Sequence, residues 1–286
     1  MFQDFNATPI DPIKWESSIY KPTPTIIEAA QALYQGHDVK EISRSDAGAE
    51  NLTRSTDRIK QIILDSKKNR KKSICFLTGV PGAGKTLAGL NIANETQKFE
   101  DDEHAVFLSG NGPLVKVLQE ALARYEVENS VTTITKAEAL RKSSTFIQNI
   151  HHYRDDALNN PSPPIEKVVI FDESQRAWDL EQTASFMSRK KNIPDFDKSE
   201  PEFLIGVLNR HQDWSTIICL VGGGQEINKG EAGIIEWFSA IKNKFPHWNV
   251  YLSSEIQETE YTRGENLDEL LDGIKVEFND ELHLKT

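Results

Sequence analysis

One stretch limits what this chain can fold into more than any other. From Ser73 to Thr78 an apolar run reads as a buried strand. It breaks at Gly79-Val80-Pro81-Gly82-Ala83-Gly84, and the chain resumes at Lys85-Thr86-Leu87 as a helix. Gly79 to Thr86 fits G-x-x-x-x-G-K-[ST], a loop whose backbone N–H groups wrap a phosphate, and the strand-then-helix context it needs is present. Glycines let the backbone take unusual φ values with no side chain in the way. Lys85 is placed to reach outer phosphates and the Thr86 hydroxyl to hold Mg²⁺. The helix from Leu87 adds the positive end of its dipole. The expected cradle is therefore Gly79, Val80, Pro81, Gly82, Ala83, Gly84, Lys85, Thr86 and Leu87. A chance glycine-rich turn is the competing reading, and a match at all four fixed positions argues against it.

The chain is 286 residues long, enough for one large domain or one domain with an appendage. No apolar run approaches the ~20 residues of a membrane span, and Met1-Phe2-Gln3-Asp4 does not open a secretory signal. Cys75 and Cys219 sit inside apolar runs and read as buried thiols. A cytoplasmic location with no membrane partner is the expectation. The net charge of −11 argues against a broad nucleic-acid-coating surface, but not against a local groove. Basic clusters at 67–72 and 189–191 read as solvated helix ends.

Residues 1–24 carry four prolines and read as an extended arm, followed by a helix over 25–36 that Gly36 stops. A second helix spans 51–68. Together these suggest an N-terminal arm and helix over 1–50 and a main domain over 51–286. Helix 86–97 follows the loop, then a strand at 104–109 and a helix opened by Pro113. Val131 to Ile134 reads as a short strand and 137–157 as one helix. Glu166 to Phe171, apolar after its first two residues, reads as a strand covered on both faces. After a long excursion come a helix from Pro201, a strand at 216–221, a helix at 231–243, a last central strand at 249–252 and a short helix near 266–273. Strands alternating with helices predict a three-layer α/β fold, mostly parallel, with ligands at the carboxyl ends of the strands.

Two acids close the strand at 166–171. Asp172 is expected to hold Mg²⁺ opposite Thr86, and Glu173 to polarise an attacking water. The expected cofactors are thus ATP and Mg²⁺, and Lys85, Glu173 and Gln225 are the catalytic candidates. Gln225 follows three glycines at the end of the 216–221 strand, which is expected to insert between the other two motif strands; a plain flexible turn is the alternative there.

The string Asp172-Glu173-Ser174-Gln175 resembles the DExQ box of superfamily-one helicases. More specifically, Thr78 to Asn91, Leu108 to Leu114, Phe171 to Trp178 and Val221 to Ile227 resemble the Schlafen-like (group 3) DNA/RNA helicase domain family, over roughly residues 20–285. The resemblance implies a RecA-like P-loop NTPase lobe. It also implies single-stranded DNA or RNA as partner, with Ser109 and Asn111 near the strand backbone. His151 and His152 are implied near the same channel, where a ring can stack on a base; a solvated helix face is the other reading of the His pair. Trp178 reads as a packing anchor. Family members continue into a second RecA-like lobe, which this chain does not show. An ATP-binding lobe that is slow alone and unwinds nothing is the expectation. An ATP-driven switch or assembly ATPase without unwinding is the alternative, and Glu173 argues against a small-molecule kinase.

Overall fold

A computed structural model describes residues 24–37, 46–99, 104–130, 133–223, 231, 233–257, 259–262 and 264–285. The element order is α1 (Ile26–Gln35), α2 (Asp46–Lys68), β1 (Lys72–Gly79), α3 (Lys85–Phe99), β2 (His104–Ser109), α4 (Gly112–Asn129) and α5 (Lys136–Phe146). Then come β3 (Ile147–Asn149), α6 (Ile150–Asn159), β4 (Glu166–Phe171), α7 (Leu180–Lys191), α8 (Glu200–Leu208), β5 (Ser215–Gly222) and α9 (Gly233–Lys244). The chain closes with β6 (Asn249–Leu252), α10 (Thr259–Thr262), α11 (Leu267–Leu271), β7 (Lys275–Phe278) and β8 (His283–Leu284).

The strands form one sheet in the order β3-β2-β4-β5-β1-β6-β7, with β8 paired to β1. Every strand pair is parallel. The period of two along each strand divides its side chains between two cores. Cys75, Leu77, Phe107, Ile170 and Leu220 pack under α1 to α5. Ile74, Phe76, Leu108, Phe171 and Cys219 pack on the other face under α6, α8 and α9. This is the expected three-layer α/β architecture. The first helix joins it directly: Ala29, Ala30 and Leu33 of α1 lie in the first core, and Asn94 donates to the Leu33 carbonyl. Among the described residues no helix is long and apolar enough to cross a membrane.

Helix α3 lies unusually close to the sheet at Gly89. A Cβ there would stand 2.7 Å from Leu220 Cδ1, 3.0 Å from Ile170 Cγ2 and 3.0 Å from Phe107 Cε2, all fully buried side chains. Gly89→Val is therefore expected to destabilise the fold by about 1–3 kcal/mol through overpacking, read as a lower urea midpoint at unchanged slope.

Three expectations need correction. The segment 137–157 is not one helix: α5 ends at Phe146, and Ile147–Asn149 form β3, hydrogen-bonded to β2. Phe146, Ile147 and Ile150 stand at helical spacing, but the edge of β2 presents backbone groups that need partners, and three residues of extended chain supply them. The short strand expected at 131–134 is not there in its described part: Thr133 and Ile134 belong to no strand, and Val131 and Thr132 lie outside the described residues. The strand at 249–252 is not the last, because β7 and β8 follow it. The arm at 1–24 lies outside the described residues except for Pro24. The cysteines are free and buried, and the basic residues Lys67, Lys68 and Arg189 to Lys191 occupy last turns of helices, as read.

The C-terminal segment returns to the centre. β8 pairs Thr78 with His283 and Gly79 with Leu284. Thr78 Oγ1 lies 2.9 Å from His283 Nδ1, and Ser55 Oγ donates to the Glu281 carbonyl at 2.5 Å. A Cβ on Gly79 would meet the Leu284 carbonyl oxygen at 2.8 Å. The first glycine of the motif is thus required by the neighbouring strand.

Candidate nucleotide site and adjoining cavity

Residues 80–84 leave the end of β1 as a loop that opens into α3. Gly82 and Gly84 take φ values of 83° and 93°, the left-handed region that side chains disfavour. A Cβ on Gly82 would meet nothing within 4 Å, so its backbone conformation and not crowding is what favours glycine there. Lys85 folds back across it and donates to the carbonyls of Gly79 at 2.6 Å and Val80 at 2.9 Å. The residues named from the sequence, Gly79 to Leu87, thus run from the last residue of β1 through the loop at 80–84 into the first turn of α3.

β5 lies between β1 and β4, as expected, and brings the two motif strands one strand apart. The Thr86 hydroxyl donates to Asp172 Oδ1 at 3.2 Å. Burial first, and then the neighbouring Glu173, push the Asp172 carboxyl up to about 7. A carboxylate so placed is short of positive charge, and a cation would relieve it. Among the described residues no cluster of three or more His, Cys, Asp or Glu side chains is placed to hold a metal. A cation here would draw on Thr86, Asp172 and oxygens from outside the protein, the sparse protein ligation that suits Mg²⁺.

Glu173 has φ 52° and ψ 45°, a left-handed conformation that costs a non-glycine residue about 1–3 kcal/mol. The turn is held from both sides. Gln175 Nε2 donates to Glu173 Oε2 at 2.5 Å, and Gln175 Oε1 accepts from the Gly222 N–H at 3.1 Å. Ser174 Oγ donates to the Leu220 carbonyl, and Trp237 Nε1 donates to the Ser174 carbonyl. Gln175 thus ties the acid to the end of β5. The sequence string held this residue but assigned it no role; its signal was its position two after the acid. Gln175→Ala is expected to lower ATP turnover about ten- to hundredfold, the scale of a misplaced catalytic group, with KM for ATP unchanged in a steady-state assay. Gln225, the third catalytic candidate, lies outside the described residues.

A cavity of about 550 Å³ opens beside Asp172 and Glu173. Ser109, Asn111 and His151 line it, so three of the four strand-contact candidates meet at one place. His152 is exposed and is not on its wall. Ser109 Oγ accepts from the Asn111 N–H, and Asn111 caps α4 by accepting from the Leu114 N–H. Trp178 packs as an anchor, with its ring 5.0 Å from His151 and 5.2 Å from Phe186, and it also lines the cavity. Arg176, which lies in the Phe171 to Trp178 string but was given no role, lines it too, and two further lining residues carried no readable signal: Glu200 and Glu231. Glu200 accepts from Arg154 and from the Trp178 N–H, and Glu231 enters through a backbone bridge to Trp178.

Residues 72–286 match the family described as Schlafen group 3, DNA/RNA helicase domain. The chain belongs to this family. Membership makes it a nucleotide-binding lobe of helicase type, with a glycine-rich loop at the end of its β1 strand. No curated protein matches the chain. Among solved structures it is similar to the Hef helicase domain of Pyrococcus furiosus, at 14% identity and a TM-score of 0.37, over 73% of this chain and 41% of that one. It is also similar to the Aeropyrum pernix ORC2 protein in ADPNP–ADP complexes, at 10% identity and a TM-score of 0.29, over 84% of this chain and 48% of that one. The chain thus spans less than half the length of either.

Proposed function

We propose that the chain is the ATP-binding lobe of a nucleic-acid-dependent ATPase of helicase type, hydrolysing ATP with Mg²⁺. The observation that carries this reading is the 3.2 Å contact between the Thr86 hydroxyl and the Asp172 carboxylate, with Glu173 next in the chain. The glycine-rich loop at the end of β1 suits a phosphate, and Lys85 would exchange its two carbonyl partners for phosphate oxygens. Thr86 and Asp172 would share the metal. When bound, Mg²⁺ would neutralise charge on the phosphates. Gln175 holds Glu173 Oε2, which leaves Oε1 to take the proton of an attacking water.

The test is phosphate release from ATP with Mg²⁺ or with EDTA, in the presence and absence of single-stranded DNA and RNA, with Lys85→Ala as control. Mg²⁺-dependent turnover that rises with a strand and is lost in the Lys85 variant supports the proposal. Turnover indifferent to any strand favours the switch reading. Phosphate arriving on a metabolite instead of water would refute hydrolysis.

A further inference from the structure

A smaller pocket lies at the opposite end of the sheet. Its volume is about 180 Å³, room for several water-sized groups. Glu166, the first residue of β4, lines it, whereas Asp172 follows the last residue of that strand. At ~3.3 Å per residue the two acids stand roughly 20 Å apart. The walls also include Tyr153, Asp156 and Ala157 of α6, Val207 of α8 and Arg210 just past it.

Two polar groups here are buried without the partners that such groups need. The Tyr153 side chain is 5% exposed, and its hydroxyl has no hydrogen-bond partner. Glu166 is 8% exposed and forms no ion pair among the described residues. The cations nearby are engaged elsewhere. Lys167 pairs with Asp213, and the Arg210 guanidinium donates to the carbonyls of Ala157, Asn160 and Ser162. His211 Nε2 lies 3.0 Å from the backbone carbonyl of Glu166. Burial, the leading cause, pushes the Glu166 carboxyl up; Asp156 adds to the rise, and the Glu166 backbone N–H and His104 oppose it. Burial also pushes the Tyr153 phenol up, with Glu166 adding to the rise and Arg210 opposing it, so the hydroxyl stands near both charges.

We propose that this pocket binds a small organic amine in its ammonium form, with the Glu166 carboxylate and the Tyr153 hydroxyl accepting from the ammonium. An ammonium brings three donors and no acceptor, which suits two oxygens that lack donors. Asp156, exposed at the rim, adds a second negative charge. An anionic ligand would meet both carboxylates, and a neutral alcohol would leave the charge on Glu166 unbalanced. Among the described residues no cluster of three or more His, Cys, Asp or Glu side chains is placed to hold a metal, so a metal ion fits the pocket less well. Ala157 and Val207 offer apolar wall to a short carbon chain. The amine site stands apart from the nucleotide site and does not depend on the function proposed there.

The experiment is saturation-transfer NMR of the full chain with three probes of equal length: butylammonium, butanol and butyrate. Butylammonium is expected to bind about tenfold more tightly than butanol, the scale of one hydrogen bond to a charged group, and butyrate not at all. Glu166→Gln keeps the shape, removes the charge and is expected to weaken the amine about tenfold. Tyr153→Phe keeps the ring in the core and is expected to weaken it by a smaller factor. Urea unfolding without amine separates a ligand site from a merely structural carboxylate. The Glu166→Gln midpoint is expected to equal or exceed that of the wild type, because a buried unpaired charge costs stability. A lower midpoint would show the carboxylate to be satisfied within the fold and would overturn the proposal. Equal binding of the three probes, amine binding unchanged in Glu166→Gln, or no amine binding at all, which would leave the pocket to water, overturns it as well.

Discussion

Glu173→Gln is expected to lower ATP turnover by about two to four orders of magnitude, the usual contribution of a positioned proton acceptor, while nucleotide affinity is retained. Glutamine has the same length and shape, and its carbonyl can still accept from Gln175 Nε2 as Glu173 Oε2 does. It cannot take a proton from water. Lys85, Thr86 and Asp172, the groups that would hold nucleotide and metal, are untouched. Single-turnover phosphate release alongside calorimetric ATP binding separates the two effects, and turnover within tenfold of wild type would remove Glu173 from the base role. A companion variant sharpens the point. Glu173→Gly relieves the left-handed backbone at φ 52° and is expected to gain stability while losing turnover. Strain kept at a residue whose removal stabilises the fold marks that residue as working for something other than stability.

Glu200→Ala and Arg154→Ala are each expected to cost about 3–5 kcal/mol, the cost of stranding one buried charge, out of the roughly 5–15 kcal/mol that holds a domain folded. The two side chains are 3% and 0% exposed, and they meet at 3.2 Å. Burial, the leading cause at both, pushes Arg154 down and Glu200 up, so desolvation outweighs the attraction between them. The pair is therefore costly to split and adds little as a pair. Its geometry shows what it holds. Glu200 accepts from the Trp178 N–H, and the Arg154 guanidinium lies 5.2 Å from the Trp178 ring centre and 4.6 Å from that of Phe186. Helices α6, α7 and α8 are joined at this point, over the wall of the cavity. The double variant should cost less than the two single ones together, since neither charge is then left alone. Urea unfolding of the four chains measures the cycle, and single costs below about 1 kcal/mol would show the pair to be effectively solvated.

Most of the sheet was legible because its strands are short apolar runs bounded by turns. β1, β2, β4, β5 and β6 all announce themselves in this way. β3 did not, since three residues between two helices carry no period. β7 and β8 did not for a different reason: β7 is mostly exposed, and β8 is two residues long, so neither shows an apolar signature. The site divides along the same line. Lys85, Thr86, Asp172 and Glu173 come from local strings whose spacing is fixed by covalent geometry. Glu200 and Glu231 reach the cavity through the excursion after β4 and the bridge to Trp178, contacts that only the folded chain brings together.

Gly79 and Leu284 fit so tightly that not even a methyl group could be inserted between them. There is consequently no slack between β8 and the rim of the glycine-rich loop. Any side chain at position 79 would have to push Leu284 away and part β8 from β1 at the mouth of the loop.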